Sequence, residues 1–231
     1  MTTLTTRGRG AAALLVGALV LGACSSAADD AAVPVEVDAD GVTTLGPGTG
    51  ASLPDPVAQL TADDEAALLF MREEERLALD VYTKLGEEWG LPVFTNIAEA
   101  EATHTDAVRV LLERYGLDDP VPSREAGEYA DPTLQAAYDE LVALGMTSLE
   151  DALRVGAIVE ELDIADLRAR PADAPDVAQV FASLERGSRN HLRAFVRQLD
   201  RLDADYAPTH LTQAEVDEIL AGDIERGPVD G

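Results

Sequence analysis

The sequence predicts an all-α fold: a bundle of four long helices with a short crossover helix and a C-terminal helical piece. Apolar residues recur every three or four positions through most of the chain after residue 60, and no segment there shows the alternation typical of a half-buried strand. Capping residues and Gly or Pro breakers divide this region into four long segments and two short ones. Its length of roughly 170 residues is suited to one domain.

The first two helices have clear limits in the sequence. "TADDE" is a capping start for a helix from about residue 63 to residue 89, which Gly90 and Pro92 are expected to end. The second helix is predicted from about residue 95 to residue 115, with Gly116 as its terminator. Both segments are long enough to span a small domain.

The remaining helices follow a loop rich in Pro, Asp and Gly. "PTLQAAYDELVALG" is a shorter amphipathic helix, and the box "SLED" starts the third long helix, residues 148 to about 168. Pro171 and Pro175 separate it from the fourth, about residues 176–202. "LTQAEVDEIL" is expected to pack across one end of the bundle.

The first 23 residues are interpreted as a signal peptide. Arg7 and Arg9 form a positive region, "AAALLVGALVL" is apolar, and "LGAC" resembles the lipobox of bacterial lipoproteins. We therefore expect acylation of Cys24, the only cysteine, and a lipid anchor on the extracytoplasmic face of the cell membrane. The alternative is an ordinary secretory signal with a chance cysteine.

Charge and composition limit the partners of the mature chain. Loss of residues 1–23 removes two arginines and no acid, so the formal charge changes from −27 to −29. This excess of acid argues against nucleic acid and against direct binding of anionic headgroups, so the membrane contact is expected through the N-terminal lipid only. Residues 24–60, rich in Ala, Asp, Pro and Gly, are predicted to form a disordered tether before a helical domain at 61–221 and a flexible tail at 222–231.

Each long helix carries ligand-type residues in the middle of an otherwise apolar stripe. Such groups are costly to bury without a partner or a metal ion, so their repetition on four helices indicates a metal site. The candidate metal ligands are Glu75 on the first helix, Glu101 and His104 on the second, Glu160 and Asp163 on the third, and His191 on the fourth.

Four motifs in order resemble the ferritin-like superfamily, and within it the bacterial ferritin-like domain of unknown function. They are "MREEERLALDVY", "FTNIAEAEATH", "VGAIVEELDIADL" and "RGSRNHLRAF", and the similarity spans about residues 62–221. "ERLALDVY" is similar to the rubrerythrin pattern of a ligand Glu seven residues before a Tyr, which favours Glu75 over its two neighbours. "EATH" matches the Glu-x-x-His of the second helix, Glu101 and His104.

The fourth-helix motif departs from this pattern. The expected Glu-x-x-His reads "SRNH", so Ser188 stands where a carboxylate is usual. Asp163 could compensate by supplying the missing carboxylate from the third helix. Alternatively, Glu161 is the third-helix ligand, Asp163 is solvated, and a single metal ion binds tightly.

The resemblance implies a di-iron carboxylate site that reacts with oxygen or peroxide. A non-catalytic metal carrier or sequestration protein, and a metal-free helical binding module, are the alternatives. Two iron ions are expected by analogy, while manganese, zinc and copper stay open because a mixed nitrogen and oxygen site accepts them too. No second cysteine exists for a rubredoxin-type relay, so electrons would come from an external donor.

Other polar residues receive simpler interpretations. Tyr82 is expected to be a core aromatic residue with its hydroxyl on a carboxylate, His210 to be exposed, and Arg189 and Arg193 to pair with helix acids. A solvated acidic face is predicted for Glu73, Glu74, Glu87, Glu88 and Glu99.

Overall fold

The structure, a computed structural model, describes residues 35–37, 43–45, 53–121 and 124–226. These residues form one short antiparallel strand pair and six helices. The strands are β1 (Val35–Val37) and β2 (Thr43–Leu45); the helices are α1 (Ala62–Trp89), α2 (Pro92–Tyr115), α3 (Pro132–Gly145), α4 (Leu149–Ala169), α5 (Pro175–Asp200) and α6 (Gln213–Ala221). The helical prediction for the region after residue 60 is confirmed. The signal peptide and Cys24 lie outside the described residues.

Helix ends follow local capping chemistry. Thr61 and Asp64 form a capping box at the start of α1, and Gly90 ends that helix in the left-handed conformation with φ 63°. Pro92 was expected only to terminate α1, but it is also the first residue of α2, which begins about three residues earlier than predicted. Proline suits this position because its fixed φ matches the helix and its missing N–H is not needed there.

The four long helices pack side by side around one interior. Helix α1 lies against α2 and α4, and α5 lies against the same two helices from the other side. Helix α3 contacts α1 and α4, and α6 packs on α5. Every long helix therefore presents one stripe to a shared core.

The core consists of two apolar clusters at successive levels along the helices. One contains Met71, Leu111 and Leu184, and the other contains Leu85, Phe94 and other large residues such as Phe195. The helix segments between the two clusters carry the buried polar residues described below. An interior that is apolar on both sides of this polar layer shields it from water.

The packed domain extends further at both ends than the sequence predicts. Residues 53–60 were assigned to the tether, yet Leu60 is buried, Val57 donates its N–H to the hydroxyl of Tyr115 at 3.2 Å, and Pro54 accepts from Arg114. At the other end, residues 222–226 of the expected flexible tail lie on α5. These contacts come from residues distant in sequence, which local composition does not reveal.

Among the described residues, none of the helices combines the length and apolar character required to cross a membrane.

Candidate metal centre

All six residues predicted as metal ligands lie in the polar layer between the two apolar clusters. None of their side chains is more than slightly accessible, with residue exposures between 0% and 6%. They come from the four long helices: Glu75 from α1, Glu101 and His104 from α2, Glu160 and Asp163 from α4, and His191 from α5. The inward stripes read from the sequence therefore do converge.

Glu101 is the centre of the layer because its carboxylate contacts both histidines. Its Oε2 lies 2.8 Å from Nδ1 of His104, and its Oε1 lies 2.8 Å from Nδ1 of His191. The two imidazole rings stack with centroids 5.4 Å apart and an interplanar angle of 20°. One ligand atom from each of these three residues falls within 4.8 Å of the others.

Two further carboxylates flank the histidines in a nearly symmetrical way. Glu75 lies 3.5 Å from Nδ1 of His104, and Glu160 lies 3.5 Å from Nδ1 of His191. Tyr82 donates its hydroxyl to Glu160 at 2.6 Å, which confirms its prediction as a core aromatic residue bound to a carboxylate. Each histidine therefore has one carboxylate of its own and shares Glu101 with the other.

Asp163 joins the layer from α4 through Ser188. The Ser188 hydroxyl donates to Oδ2 of Asp163 and to the carbonyl oxygen of Leu184 at 2.9 Å. Ser188 stands three residues before His191, as Glu101 does before His104. The carboxylate that the fourth-helix motif lacks is thus present at the same level of the domain, on the neighbouring helix.

The electrostatics of the layer are dominated by burial and by the shared carboxylate. Burial raises the pKa of Glu75 and that of Glu160 from 4.5 to about 7, although the histidines oppose this. Burial also disfavours the charged forms of Glu101 and His191, but their attraction outweighs it: the pKa of Glu101 lies well below its usual value and that of His191 rises to about 10. The pKa of His104 rises for the same reason.

The donor set fits a bound metal ion. Among the described residues, Oε1 of Glu75, Oδ1 of Asp163 and Nε2 of His104 are buried without a hydrogen-bond partner. Buried polar atoms without partners are costly, and lone carboxylate oxygens facing a closed interior are suited to a cation. Four carboxylates with two imidazoles make a mixed oxygen and nitrogen set, which iron, manganese, zinc and copper accept.

Gly187 is a positioning residue that the sequence reasoning missed. A β-carbon at this position of α5 would lie 2.6 Å from Cε1 and 2.9 Å from Nε2 of His104. The imidazole of His104 therefore occupies the space that any larger residue would fill. The only signal in the sequence was a glycine inside a helix, one residue before Ser188 in "RGSRNH", where glycine weakens the helix unless close packing requires it.

The structure separates the two adjacent acids of α4. Glu160 faces the polar layer, whereas Oε2 of Glu161 accepts the backbone N–H groups of Thr209, His210 and Leu211 at 2.7–2.9 Å. The other oxygen of Glu161 accepts from the hydroxyl of Tyr206. Glu161 thus holds the segment between α5 and α6, and the alternative that it is the α4 metal ligand does not fit this geometry.

Two of the five acids predicted to be solvated are buried instead. Glu73 accepts the backbone N–H groups of Ala130 at 2.5 Å and Asp131 at 2.9 Å, so it caps the start of α3. Glu74 is 3% exposed. The prediction was wrong for this pair because α1 is covered on several sides, by α2, α3 and α4.

The other surface predictions agree with the structure. Glu87, Glu88, Glu99 and His210 are exposed. Arg189 pairs with the helix acid Glu185 at 2.8 Å. Both Arg189 and Arg193 also bind Glu225, which lies beyond α6 rather than on a helix.

The fold and site together define a helical protein whose interior contains a buried layer of carboxylates and histidines. The family model for the uncharacterized protein domain DUF2202 matches residues 64–223. This match includes every residue of the layer and more than half of the chain. The chain belongs to this family.

Two comparisons with a methanogen protein agree with this assignment. The uncharacterized protein MJ0754 of Methanocaldococcus jannaschii is 44% identical over 174 residues, covering 74% of this chain and 94% of that protein. The crystal structure of hypothetical protein MJ0754 from Methanococcus jannaschii is similar with a TM-score of 0.72 and 42% identity, covering 74% of this chain and 99% of that one.

Proposed function

We propose that this protein is a ferritin-like metal-binding protein of the cell surface, with a di-iron carboxylate site that reacts with oxygen or peroxide. In this proposal α1, α2, α4 and α5 are the four helices of a ferritin-like bundle and α3 is the crossover helix. The ligands are the six residues of the polar layer, with Asp163 in place of the carboxylate that Ser188 lacks.

One observation carries the proposal: each oxygen of the Glu101 carboxylate lies 2.8 Å from the Nδ1 atom of a different histidine. A carboxylate between two imidazoles, each with a second carboxylate at 3.5 Å, provides two similar sets of donors around one shared ligand. Two adjacent sets of this kind suit a pair of metal ions better than a single ion.

The residues of the layer would hold and orient such ions within an interior closed to water. Glu75 and His104 would serve one ion, Glu160 and His191 the other, and Glu101 would be shared between them. Two bound iron ions would supply oxidation and reduction, with Fe(II) oxidised and oxygen or peroxide reduced. The hydroxyl of Tyr82 fixes the orientation of Glu160 through its 2.6 Å hydrogen bond.

Metal analysis of reconstituted protein tests the proposal. Metal-free protein is loaded anaerobically with Fe(II), and bound iron is measured by elemental analysis before oxygen or peroxide is added. We expect about two ions per chain, with His104→Ala and Glu101→Ala each binding markedly less while remaining helical by circular dichroism. Glu99→Ala, an exposed acid on the same helix, is the matched control. Unchanged stoichiometry in both site variants would overturn the proposal.

The same experiment distinguishes the non-catalytic alternatives. Stable binding of iron without consumption of oxygen or peroxide would favour a carrier or sequestration protein. Failure to bind iron, manganese, zinc or copper would favour a metal-free helical module. The first outcome retains the ligand assignment, whereas the second removes it.

The cell-surface location is proposed on the sequence of residues 1–24. A lipid on Cys24 would place the domain on the extracytoplasmic face of the membrane. Cys24→Ala should leave the protein without lipid, either as the uncleaved precursor or released into the medium. A variant that stays membrane-bound at the wild-type level and still incorporates labelled fatty acid would contradict this location.

A further inference from the structure

Glu74 is a buried carboxylate that the central layer does not use. It precedes Glu75 on α1 and is 3% exposed. Neither of its oxygens has a hydrogen-bond donor among the described residues. A side chain of this kind is costly to bury, so its surroundings should contain whatever neutralises it.

The groups around Glu74 are themselves acidic. Burial raises the pKa of Glu74, and the carboxylates of Asp163 and Asp166 raise it further. Asp163 and Asp166 are three residues apart and so lie on one face of α4, which packs against α1. Oδ1 of Asp163 also lacks a hydrogen-bond partner among the described residues. Three carboxylates thus converge on a space with unsatisfied oxygens and no donor for Glu74.

This cluster connects the central layer with the surface. On its inner side, Asp163 binds Ser188 of the layer. On its outer side, the Asp166 side chain is 22% exposed and binds the guanidinium of Arg170. Arg170 lies over the ring of Phe70, 3.7 Å from its centroid, and both residues line a cleft of about 860 Å³.

We propose that Glu74, Asp163 and Asp166 form an outer binding site for a divalent cation, through which metal ions pass from this cleft to the central layer. Carboxylate oxygens alone form a hard donor set, suited to Mn(II) or Fe(II) in transit. Arg170 neutralises Asp166 while the site is empty and is displaced by an arriving cation. The route rests on the proposed function, but binding at the outer site itself does not require the histidines.

Loading kinetics test the route. Co(II) is mixed with metal-free protein, and the growth of its ligand-field absorption at the histidine-containing layer is followed by stopped flow. Removal of one attracting charge from the path should slow loading roughly ten-fold in Glu74→Gln, with the same final cobalt content. Glu87→Gln, which removes an exposed charge from α1, should load at the wild-type rate. Arg170→Met should load faster than wild type.

Binding to the outer site is measured separately in His104→Ala, where the central layer is disabled. Titration with Mn(II), followed by electron paramagnetic resonance, should find one site that is lost when Glu74→Gln or Asp166→Asn is added. Asp166→Asn changes a partly exposed residue, so it provides the result if Glu74→Gln does not fold.

The results separate the two proposals. Unchanged Co(II) loading in Glu74→Gln and Asp166→Asn, or Mn(II) binding that is insensitive to both, would overturn the outer site and leave a shared proton as the link between these acids. Loss of Mn(II) binding in both variants, in a protein whose layer takes up no Co(II), would support the outer site and overturn the central one.

Discussion

Ser188 donates its hydroxyl to the carboxylate of Asp163 and so connects α5 with α4 at the level of the two stacked histidines. The position three residues before His191 is thereby occupied by a small donor, and the acid that it holds comes from another helix. The same pair of residues offers the sharpest test of how many metal ions the layer holds.

The first prediction concerns metal stoichiometry. If Asp163 replaces the missing fourth-helix carboxylate, Asp163→Ala should lower the metal content from about two ions per chain toward one. Adding Ser188→Glu to that variant should restore the second ion, because a glutamate there forms Glu-x-x-His with His191 on one face of α5. Elemental analysis of wild type and both variants measures this. A wild type with one ion and no effect of Asp163→Ala would contradict the two-metal arrangement.

The second prediction concerns the space above Gly187. Gly187→Ala should displace the imidazole of His104 and lower metal binding, since the new methyl group would lie 2.6 Å from Cε1. Gly156→Ala provides the matched control, because its methyl group would lie 2.4 Å from the Phe195 ring instead.

Both substitutions are expected to destabilise the protein by about 1–3 kcal/mol in urea unfolding, as overpacked sites usually do. Only Gly187→Ala should also lose metal in a competition titration with a chelator. Equal metal affinity of the two variants would show that His104 does not depend on Gly187 for its position.

The third prediction separates Glu160 from Glu161. Glu160→Gln should lower metal content because it removes a ligand charge from the layer. Glu161→Gln should leave metal content unchanged but lower the free energy of unfolding by about 1–3 kcal/mol, because charge-assisted bonds from three backbone N–H groups are weakened. Elemental analysis and urea unfolding of the same two proteins measure both effects. The reverse pattern would make Glu161 the ligand.

The fourth prediction is that metal-free protein loses stability as the pH rises. Glu75 and Glu160 have a pKa of about 7 in the folded state against 4.5 ordinarily, so the folded protein holds more protons than the unfolded chain between these values. Their contribution is present below pH 4.5 and is lost as the pH rises through about 7. His191, whose pKa is raised from 6.5 to about 10, extends the decline to higher pH.

Urea unfolding of metal-free protein between pH 5 and pH 7.5 should detect a fall on the order of 2 kcal/mol. The double variant Glu75→Gln/Glu160→Gln should flatten the curve over this window, because neither amide titrates. Glu87→Gln/Glu88→Gln, with two exposed charges removed from α1, should retain the wild-type slope. A double site variant that follows the wild-type curve would assign the dependence to other groups.

The sequence by itself determined the helices and their inward faces. The period of apolar residues, the capping boxes and the breakers are local features, and they placed most helix limits within two or three residues. The same periodicity identified Glu75, Glu101, His104 and His191 as the residues in the middle of each apolar stripe, and all four are buried in one layer.

Tertiary structure decided what lies beside each inward stripe. Glu73, Glu74 and Glu75 are successive residues, separated by about 100° around the helix, so a helix buried on one face would expose at least one of them. All three are buried because α2, α3 and α4 cover different sides of α1, and no local pattern in α1 encodes the positions of those helices.

The division of roles between neighbouring polar residues was also decided by long-range contacts. Glu160 and Glu161 are chemically equivalent in the sequence, yet one meets His191 and the other meets the backbone at residues 209–211. The bond between Ser188 and Asp163 and the space above Gly187 likewise join different helices. A helix period specifies the direction of a side chain relative to its own axis, whereas the partner at the end of that direction depends on how the helices pack.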